Sequence, residues 1–309
     1  MEIFTTDQWI IFFGKLYRKV DATDLFNRAA QVAFYFSFAF FPLLLFLVTL
    51  LGIVLGTTDS LKRELYSYLF QIMPTSAFDL VHKTLDEIVE NSSSGKLTIG
   101  VFITLWSASA GVDSIRNALN VVYELKETRS WWKTKLQSLA LTLLFILLLA
   151  IALVVVSSGW EFFQYLLSFL GFYVTSPFIL IGIQWISLLL VLLFATEVIY
   201  SLVPCFKIFR WDWITPGALV AIVLWVTFTS GFRLYLQYFN NYNKAYGSLG
   251  AMIILMLWMF LTGTTILIGG AINSVLREMA ESKSETGAAS KAGVNIDTAS
   301  IGHDDEGRQ

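Results

Sequence analysis

Long apolar segments are the feature of this sequence that most constrains its fold. Six stretches are long enough, or nearly so, to cross a hydrocarbon core about 30 Å thick, which takes roughly 20 helical residues. Hydrophobic residues make up 56% of the 309 positions and charged residues only 14%, whereas soluble domains are about a quarter charged. A soluble fold of this size cannot cover so much apolar surface, so the sequence predicts an all-α, polytopic membrane helix bundle. The predicted spans are Ala29–Gly56, Leu97–Val122, Leu136–Ser158, Phe178–Val203, Ile214–Phe239 and Leu249–Ile272.

The distribution of basic residues predicts the orientation of these six spans. With the N-terminus inside, the inner segments hold roughly three times as many lysines and arginines as the outer segments, and cationic loops resist translocation. Both termini are therefore predicted to be cytoplasmic. The segment Lys126–Lys135 is inside only if Leu97–Val122 crosses the membrane, and this dependence supports the second span.

The N-terminal segment, residues 1–28, precedes the membrane domain, residues 29–276. Within it, Trp9–Val20 mixes large apolar residues with Lys15, Arg18 and Lys19. This mixture is typical of an amphipathic helix that lies in the headgroup region. Packing of the same helix on the membrane domain is the alternative interpretation.

Two further segments lie outside the predicted spans. The outer loop, residues 57–96, has apolar residues at helical spacing, which predicts two amphipathic helices, Ser60–Ile72 and Ala77–Glu90, separated by Pro74. They either cap the bundle or provide a binding surface. Residues 277–309 lose the large apolar residues and become rich in Ser, Glu, Gly and Ala, which predicts a disordered cytoplasmic tail.

Composition argues against several functional classes. The net charge of −2 lacks the basic footprint of nucleic-acid-binding proteins. Cys205 is the one cysteine, and the two histidines, His82 and His303, lie in unrelated contexts, so the chain has few ligands for a metal site. We therefore predict no enzymatic activity, catalytic residue, metal or cofactor, and expect membrane lipids as partners.

Few charged residues lie within the predicted spans, and each is a functional candidate because charge in a bilayer is costly. At roughly 1.5 Å per residue, Asp113 and Glu197 lie near the inner surface and Arg233 near the outer one. Asp113 and Arg116 have i, i+3 spacing, and together with Glu197 they form a predicted inner-side polar cluster. The cluster is either a structural pair at a helix end or a gate or headgroup-recognition site. Without a charge at the midplane, coupling to protons or sodium is not indicated.

Three stretches, Arg28–Leu45, Leu105–Tyr123 and Tyr246–Asn273, resemble the BrkB/YihY family of bacterial inner-membrane proteins in their order and spacing. The resemblance implies six spans, cytoplasmic termini and an inner-membrane location. The family commonly has an acidic residue near the end of its last span, where this chain has Ala271. A mechanism that depends on that carboxylate is therefore not expected here.

The resemblance also selects polar positions as a predicted cavity lining. Gln31 and Tyr35 precede the helix-kinking Pro42, and Asn120 and Asn273 match polar positions of the family. The full predicted lining is Gln31, Tyr35, Pro42, Trp106, Asn120 and Asn273. Two functions remain open: translocation of an amphipathic or lipid-like envelope molecule, and a non-transporting scaffold that binds envelope partners through the outer helical loop.

Overall fold

The computed structural model describes residues 6–55, 63, 66–67, 70, 78–79, 82–83, 97–169, 171, 177–206, 214–238 and 248–301. No β-strand occurs among these residues, and the all-α prediction is confirmed. The helices are α1 (Thr6–Ala22), α2 (Leu25–Leu55), α3 (Leu97–Val122), α4 (Trp131–Phe169), α5 (Pro177–Leu202), α6 (Pro216–Tyr238) and α7 (Ser248–Ile301).

Four segments of these helices are long and apolar enough to cross a membrane. They are Trp131–Val156, Ile181–Leu202, Pro216–Gln237 and Met252–Ser282, and no more than 44% of the most apolar window in any of them is buried within the protein. Such exposure of apolar side chains is expected where lipid surrounds a bundle. Helix α3 has the bounds of the second predicted span, and α2 contains the first one from Ala29 to Leu55, Gly56 lying outside the described residues. The count of six spans stays a prediction.

Helix α7 is the central element of the bundle. It packs against α1, α2, α3 and α6, while α4 joins α3 to α5 and α5 reaches α6. The main core contains Leu25, Leu119, Leu267 and Ala271, none of which has exposed surface. Leu25 and Ala271 come from helices far apart in sequence, so this core holds α2 and α7 together.

Glycines allow α6 and α7 to approach closely. A Cβ atom on Gly217 would lie 2.1 Å from the Gly269 carbonyl oxygen, and one on Gly269 would lie 2.1 Å from the Tyr200 hydroxyl. Small residues at such contacts let helix backbones meet in a membrane, where lipid supplies no hydrophobic force between helices. The Gly217–Gly269 contact therefore sets the position of the start of α6.

Helix α1 packs on the bundle through one face and leaves another open. Phe12 is buried against Ile272 and Val275 of α7, and Lys15 Nζ lies 2.7 Å from Glu278 Oε1. Several large apolar residues of α1 nevertheless remain exposed, namely Trp9, Ile10, Ile11, Phe13 and Tyr17. Packing on the membrane domain thus coexists with an outward apolar face, and the predicted headgroup location of that face stays a prediction.

The described residues of the outer loop are helical. Tyr66 and Phe70 contact Phe78, with ring centroids 6.2 and 5.2 Å apart, and Tyr66 lies 4.3 Å from the His82 ring. Aromatic contacts therefore join the two predicted helices of this loop. The rest of Ser60–Ile72 and Ala77–Glu90, and Pro74 between them, lie outside the described residues.

The C-terminal segment differs from its composition-based prediction over part of its length. Helix α7 continues to Ile301, so the backbone is helical through residues 277–301, where composition predicts disorder. Alanine, lysine and glutamate recur in this stretch, and their helix propensities permit such a continuation. Residues 302–309 lie outside the described residues.

Candidate functional site

Asp113 is the centre of a polar network between α3 and α4. Its Oδ1 accepts a hydrogen bond from Arg116 Nη2 at 2.8 Å and another from the Ser138 hydroxyl. Its Oδ2 accepts a hydrogen bond from Lys135 Nζ at 3.0 Å. Charge-assisted bonds of this kind are the stronger ones in proteins. One carboxylate thus holds two cations, and the first turns of α4 are fixed against α3.

Lys135 is buried among partners that stabilise its charge. Its Nζ donates to Ser109 Oγ at 2.6 Å and lies 4.6 Å from the centre of the Trp106 ring. A cation over an indole face is attracted by the ring quadrupole. Trp106 also lies beside Trp131, with 6.2 Å between ring centroids, so aromatic rings flank the network.

The segment between α3 and α4 carries a second ion pair. Arg129 donates to both carboxylate oxygens of Glu127, each at 2.8 Å. These bonds are the main reason that the pKa of Glu127 falls from 4.5 to about 2. Glu127 Oε2 also lies 3.7 Å from Arg116 Nε. Glu127 therefore links the connecting segment to the Asp113 network.

Asn120 ties the end of α3 to the segment that follows α5. Its Oδ1 accepts a hydrogen bond from the Cys205 backbone N–H at 2.8 Å, and its Nδ2 donates to Glu127 Oε2 at 3.2 Å. The Leu125 N–H reaches back to the Asn120 carbonyl, and the Glu124 N–H to the Val121 carbonyl. This is a Schellman arrangement, with Glu124 at the left-handed position at φ 56°.

The first turn of α6 is capped by side chains from α5 and α7. Glu197 accepts hydrogen bonds from the Thr215 backbone N–H and from the Thr215 hydroxyl. Asn273 Oδ1 accepts from the Gly217 N–H at 2.8 Å, while its Nδ2 donates to Thr215 Oγ1 at 3.0 Å. The otherwise unsatisfied donors of a helix start are thereby engaged, and three helices meet at one point.

A cavity of about 290 Å³ lies beside this junction. The Phe206 ring lies 4.5 Å from Arg277 Cζ and makes an edge contact with Tyr123, with centroids 5.1 Å apart. Burial raises the pKa of Tyr123, so its phenol is neutral at physiological pH. The cavity lining includes Tyr123, Ser201, Phe206, Thr215, Asn273 and Arg277.

The structure separates the residues that the sequence predicts as one inner-side cluster. Asp113 and Arg116 pair as their spacing predicts, whereas Glu197 bonds to Thr215 in the cap of α6. The reason is that α3 faces α4 with its Asp113 side, while α5 directs its buried carboxylate to the chain entering α6. The predicted cluster is therefore divided into two polar groups, one around Asp113 and Arg116 and the other around Glu197 and Thr215.

The predicted cavity-lining residues are also dispersed. Asn273 lines the cavity, and Asn120 bonds to Cys205 near it. Gln31 and Tyr35 are exposed on α2, Pro42 lies further along that helix, and Trp106 contacts Lys135. Sequence reasoning missed Arg277, Phe206 and Lys135. Arg277 lies just beyond the last predicted span, where sequence analysis interprets a basic residue as an ordinary signal of membrane orientation.

The described residues contain no group of three or more His, Cys, Asp and Glu side chains placed to hold a metal ion. The polar groups around Asp113 and around the cavity are ion pairs, hydroxyls and amides. Their chemistry is that of binding and positioning by hydrogen bonds.

Comparison with known proteins identifies relatives over most of the chain. Residues 16–293 match the family model described as Virulence factor BrkB. The putative ribonuclease-like protein YfkH of Bacillus subtilis is 30% identical over 267 residues, which cover 86% of this chain and 95% of that protein. A UPF0761 membrane protein of Idiomarina loihiensis is 31% identical over 229 residues, covering 71% of this chain and 75% of the relative. No solved structure matches.

Proposed function

Because this chain belongs to the Virulence factor BrkB family of membrane proteins, we propose that it translocates an amphipathic, lipid-like molecule of the cell envelope across the inner membrane. The family description and the relatives' names specify no cargo for this chain. The ribonuclease-like name belongs to the Bacillus protein, and we propose no enzymatic activity here. The proposal depends on how polar and apolar surfaces follow one another along α5.

The unequal burial of α5 is the observation that carries the proposal. Between Phe178 and Ala195, no described side chain of α5 is buried. Trp185 and Ile186 are 68% and 60% exposed, whereas Glu197 and Tyr200 near the inner end are 1% and 3% exposed. An apolar face open to lipid is therefore continuous, on one helix, with residues that line a polar cavity. An amphipathic molecule needs an apolar surface next to a polar one, because its chains can then remain in lipid while its polar part crosses.

The absence of charge at the membrane midplane also supports an amphipathic cargo. The charged residues within the predicted spans, Asp113, Arg116, Glu197 and Arg233, lie towards their ends, and the polar side chains between are neutral hydroxyls and amides. Gln184, for example, donates to the Val155 and Val156 carbonyls of α4. Neutral donors and acceptors can form hydrogen bonds with the polar part of a crossing molecule without the large cost of burying an unpaired charge.

The test is lipid translocation in vesicles that contain the purified full chain. A fluorescent phospholipid and the water-soluble dye carboxyfluorescein would be followed in the same preparation, with protein-free vesicles as the control. We expect the lipid analogue to exchange between leaflets at least tenfold faster than in the control, while the dye stays inside. Equal lipid exchange with and without protein would reject translocation and favour the scaffold.

A further inference from the structure

Arg277 differs from five other basic side chains whose contacts are described at this end of the bundle. Lys15, Lys19, Arg116, Arg129 and Lys135 each lie within 3.0 Å of a carboxylate oxygen. Arg277 has no salt bridge to any residue in the described part of the chain, and its guanidinium lies over the Phe206 ring. A positive charge is therefore held at the cavity without an ion pair to a carboxylate of the described residues.

The cavity offers hydrogen-bond donors beside this charge. The Ser201 hydroxyl lines the cavity and makes no hydrogen bond to a residue within the described ranges. The neutral Tyr123 phenol lines the same space, so its proton can be donated. Arg277 supplies a planar fork of N–H donors, which matches the oxygens of a phosphate.

The neighbouring groups direct recognition to Arg277 rather than to the start of α6. The Gly217 and Ala218 N–H groups already donate to Asn273 and Thr215. Glu197, an acid at this junction, accepts hydrogen bonds from Thr215. The exposed donors of a helix start that usually attract anions are thus occupied, and Arg277 is the one cationic residue among the described residues that line the cavity.

We propose that this cavity binds a phosphate anion, with Arg277 as the principal recognition residue and the Ser201 and Tyr123 hydroxyls as further donors. This inference deepens the proposed function and rests on it for a lipid as the source of the phosphate. The cavity volume of about 290 Å³ lies at the lower limit of small-molecule pockets, about 300 Å³. It holds a phosphate headgroup and leaves lipid chains outside, against the exposed length of α5.

The test is equilibrium binding to the purified full chain in an uncharged detergent. The probes are dihexanoyl phosphatidic acid, dihexanoyl phosphatidylcholine and inorganic phosphate, measured by calorimetric titration. We expect phosphatidic acid to bind at least tenfold more tightly than phosphatidylcholine. Weak inorganic phosphate competition identifies the lipid headgroup as the ligand, and competition at equal or lower concentration identifies free phosphate.

Three variants localise the binding. Arg277→Gln is expected to weaken phosphatidic acid binding at least tenfold, and Arg277→Lys, which keeps the charge but not the fork, about threefold. Arg18→Gln removes an equal charge from the exposed part of α1 and should change binding less than twofold. Helical circular dichroism and the melting temperature verify folding of each variant, and Arg277→Lys carries the test if Arg277→Gln unfolds.

Unchanged binding in a folded Arg277 variant, or a failure of both phosphatidic acid and phosphate to bind, would overturn the inference. The experiment is separate from translocation because it requires no vesicle and no movement of lipid. A chain that binds phosphate through Arg277 but moves no lipid contradicts the proposed function alone. A chain that moves lipid without any dependence on Arg277 contradicts this inference alone.

Discussion

At the residue scale, Asn273 shows how one side chain can organise three helices. It belongs to α7, bonds to Gly217 and Thr215 at the start of α6, and lines the cavity together with Tyr123, which follows α3. The family resemblance selected this residue from sequence as a polar position. Its bond to a backbone N–H of α6 required the structure, because a sequence shows the donor and acceptor but not the helix crossing that brings them together.

Replacing this amide is expected to be costly. Asn273→Ala leaves the Gly217 N–H without its partner, and an unsatisfied buried donor costs about 1–3 kcal/mol. The melting temperature in detergent should therefore fall measurably. Asn27→Ala, which removes an exposed bond to Asp24, is the control and should change stability by less than about 0.5 kcal/mol. Equal melting temperatures for wild type and Asn273→Ala would contradict the role assigned to this amide.

The Glu127–Arg129 pair predicts a pH dependence of stability. Because the pKa of Glu127 is lowered from 4.5 to about 2 in the folded protein, its contribution is fully present above about pH 4.5 and is lost as pH falls towards 2. The melting-temperature difference between wild type and Glu127→Gln should be constant from pH 7 to 5 and shrink below 4.5. A difference that grows on acidification would show that this carboxylate is not preferentially charged in the folded state.

At the element scale, hydrophobic patterns predict the helices better than they predict their ends. The predicted second span coincides with α3, Leu97–Val122, but the predicted Leu136–Ser158 lies inside the longer α4, Trp131–Phe169. Hydropathy marks where a helix leaves hydrocarbon, whereas a helix ends where its backbone loses hydrogen-bond partners. Lys135, which forms an ion pair with Asp113 of α3, lies within this extension of α4, which is one reason why Lys135 was missed as a site residue.

The contact between α6 and α7 gives the sharpest prediction at this scale. Gly217→Ala places a methyl group 2.1 Å from the Gly269 carbonyl oxygen, and overpacking of this kind typically costs about 1–3 kcal/mol, occasionally more. Gly231→Ala in the same helix meets nothing within 4 Å and should be neutral or stabilising by up to about 1 kcal/mol. Thermal unfolding of both variants measures the difference. Similar melting temperatures for the two would refute close backbone packing at Gly217.

At the scale of the whole molecule, composition was sufficient to predict an all-α membrane bundle, because 56% apolar residues leave few alternatives. The pairing of Asp113 with Arg116 followed from spacing within one helix. The separation of Glu197 from that pair, and the cavity beside Arg277, depend on which helices touch. Those contacts arise from α7 lying between α2, α3 and α6, and spacing along the chain does not encode them.

The proposed function and the phosphate inference both assume that the polar end of the bundle faces the cytoplasm. Membrane orientation is therefore the most direct test of this assumption. Cys205 is the chain's single cysteine and is buried, which allows a Cys205→Ser background that carries one new cysteine at a time. Lys126→Cys reports the predicted inner side and Ser168→Cys the predicted outer side; both parent residues are exposed.

Labelling of cells or spheroplasts with a membrane-impermeant maleimide gives the result. The account predicts that Ser168→Cys reacts in intact cells, whereas Lys126→Cys reacts only after the membrane is permeabilised. Reaction of Lys126→Cys from outside intact cells, with Ser168→Cys protected, would contradict the orientation on which the cavity and its proposed ligand depend.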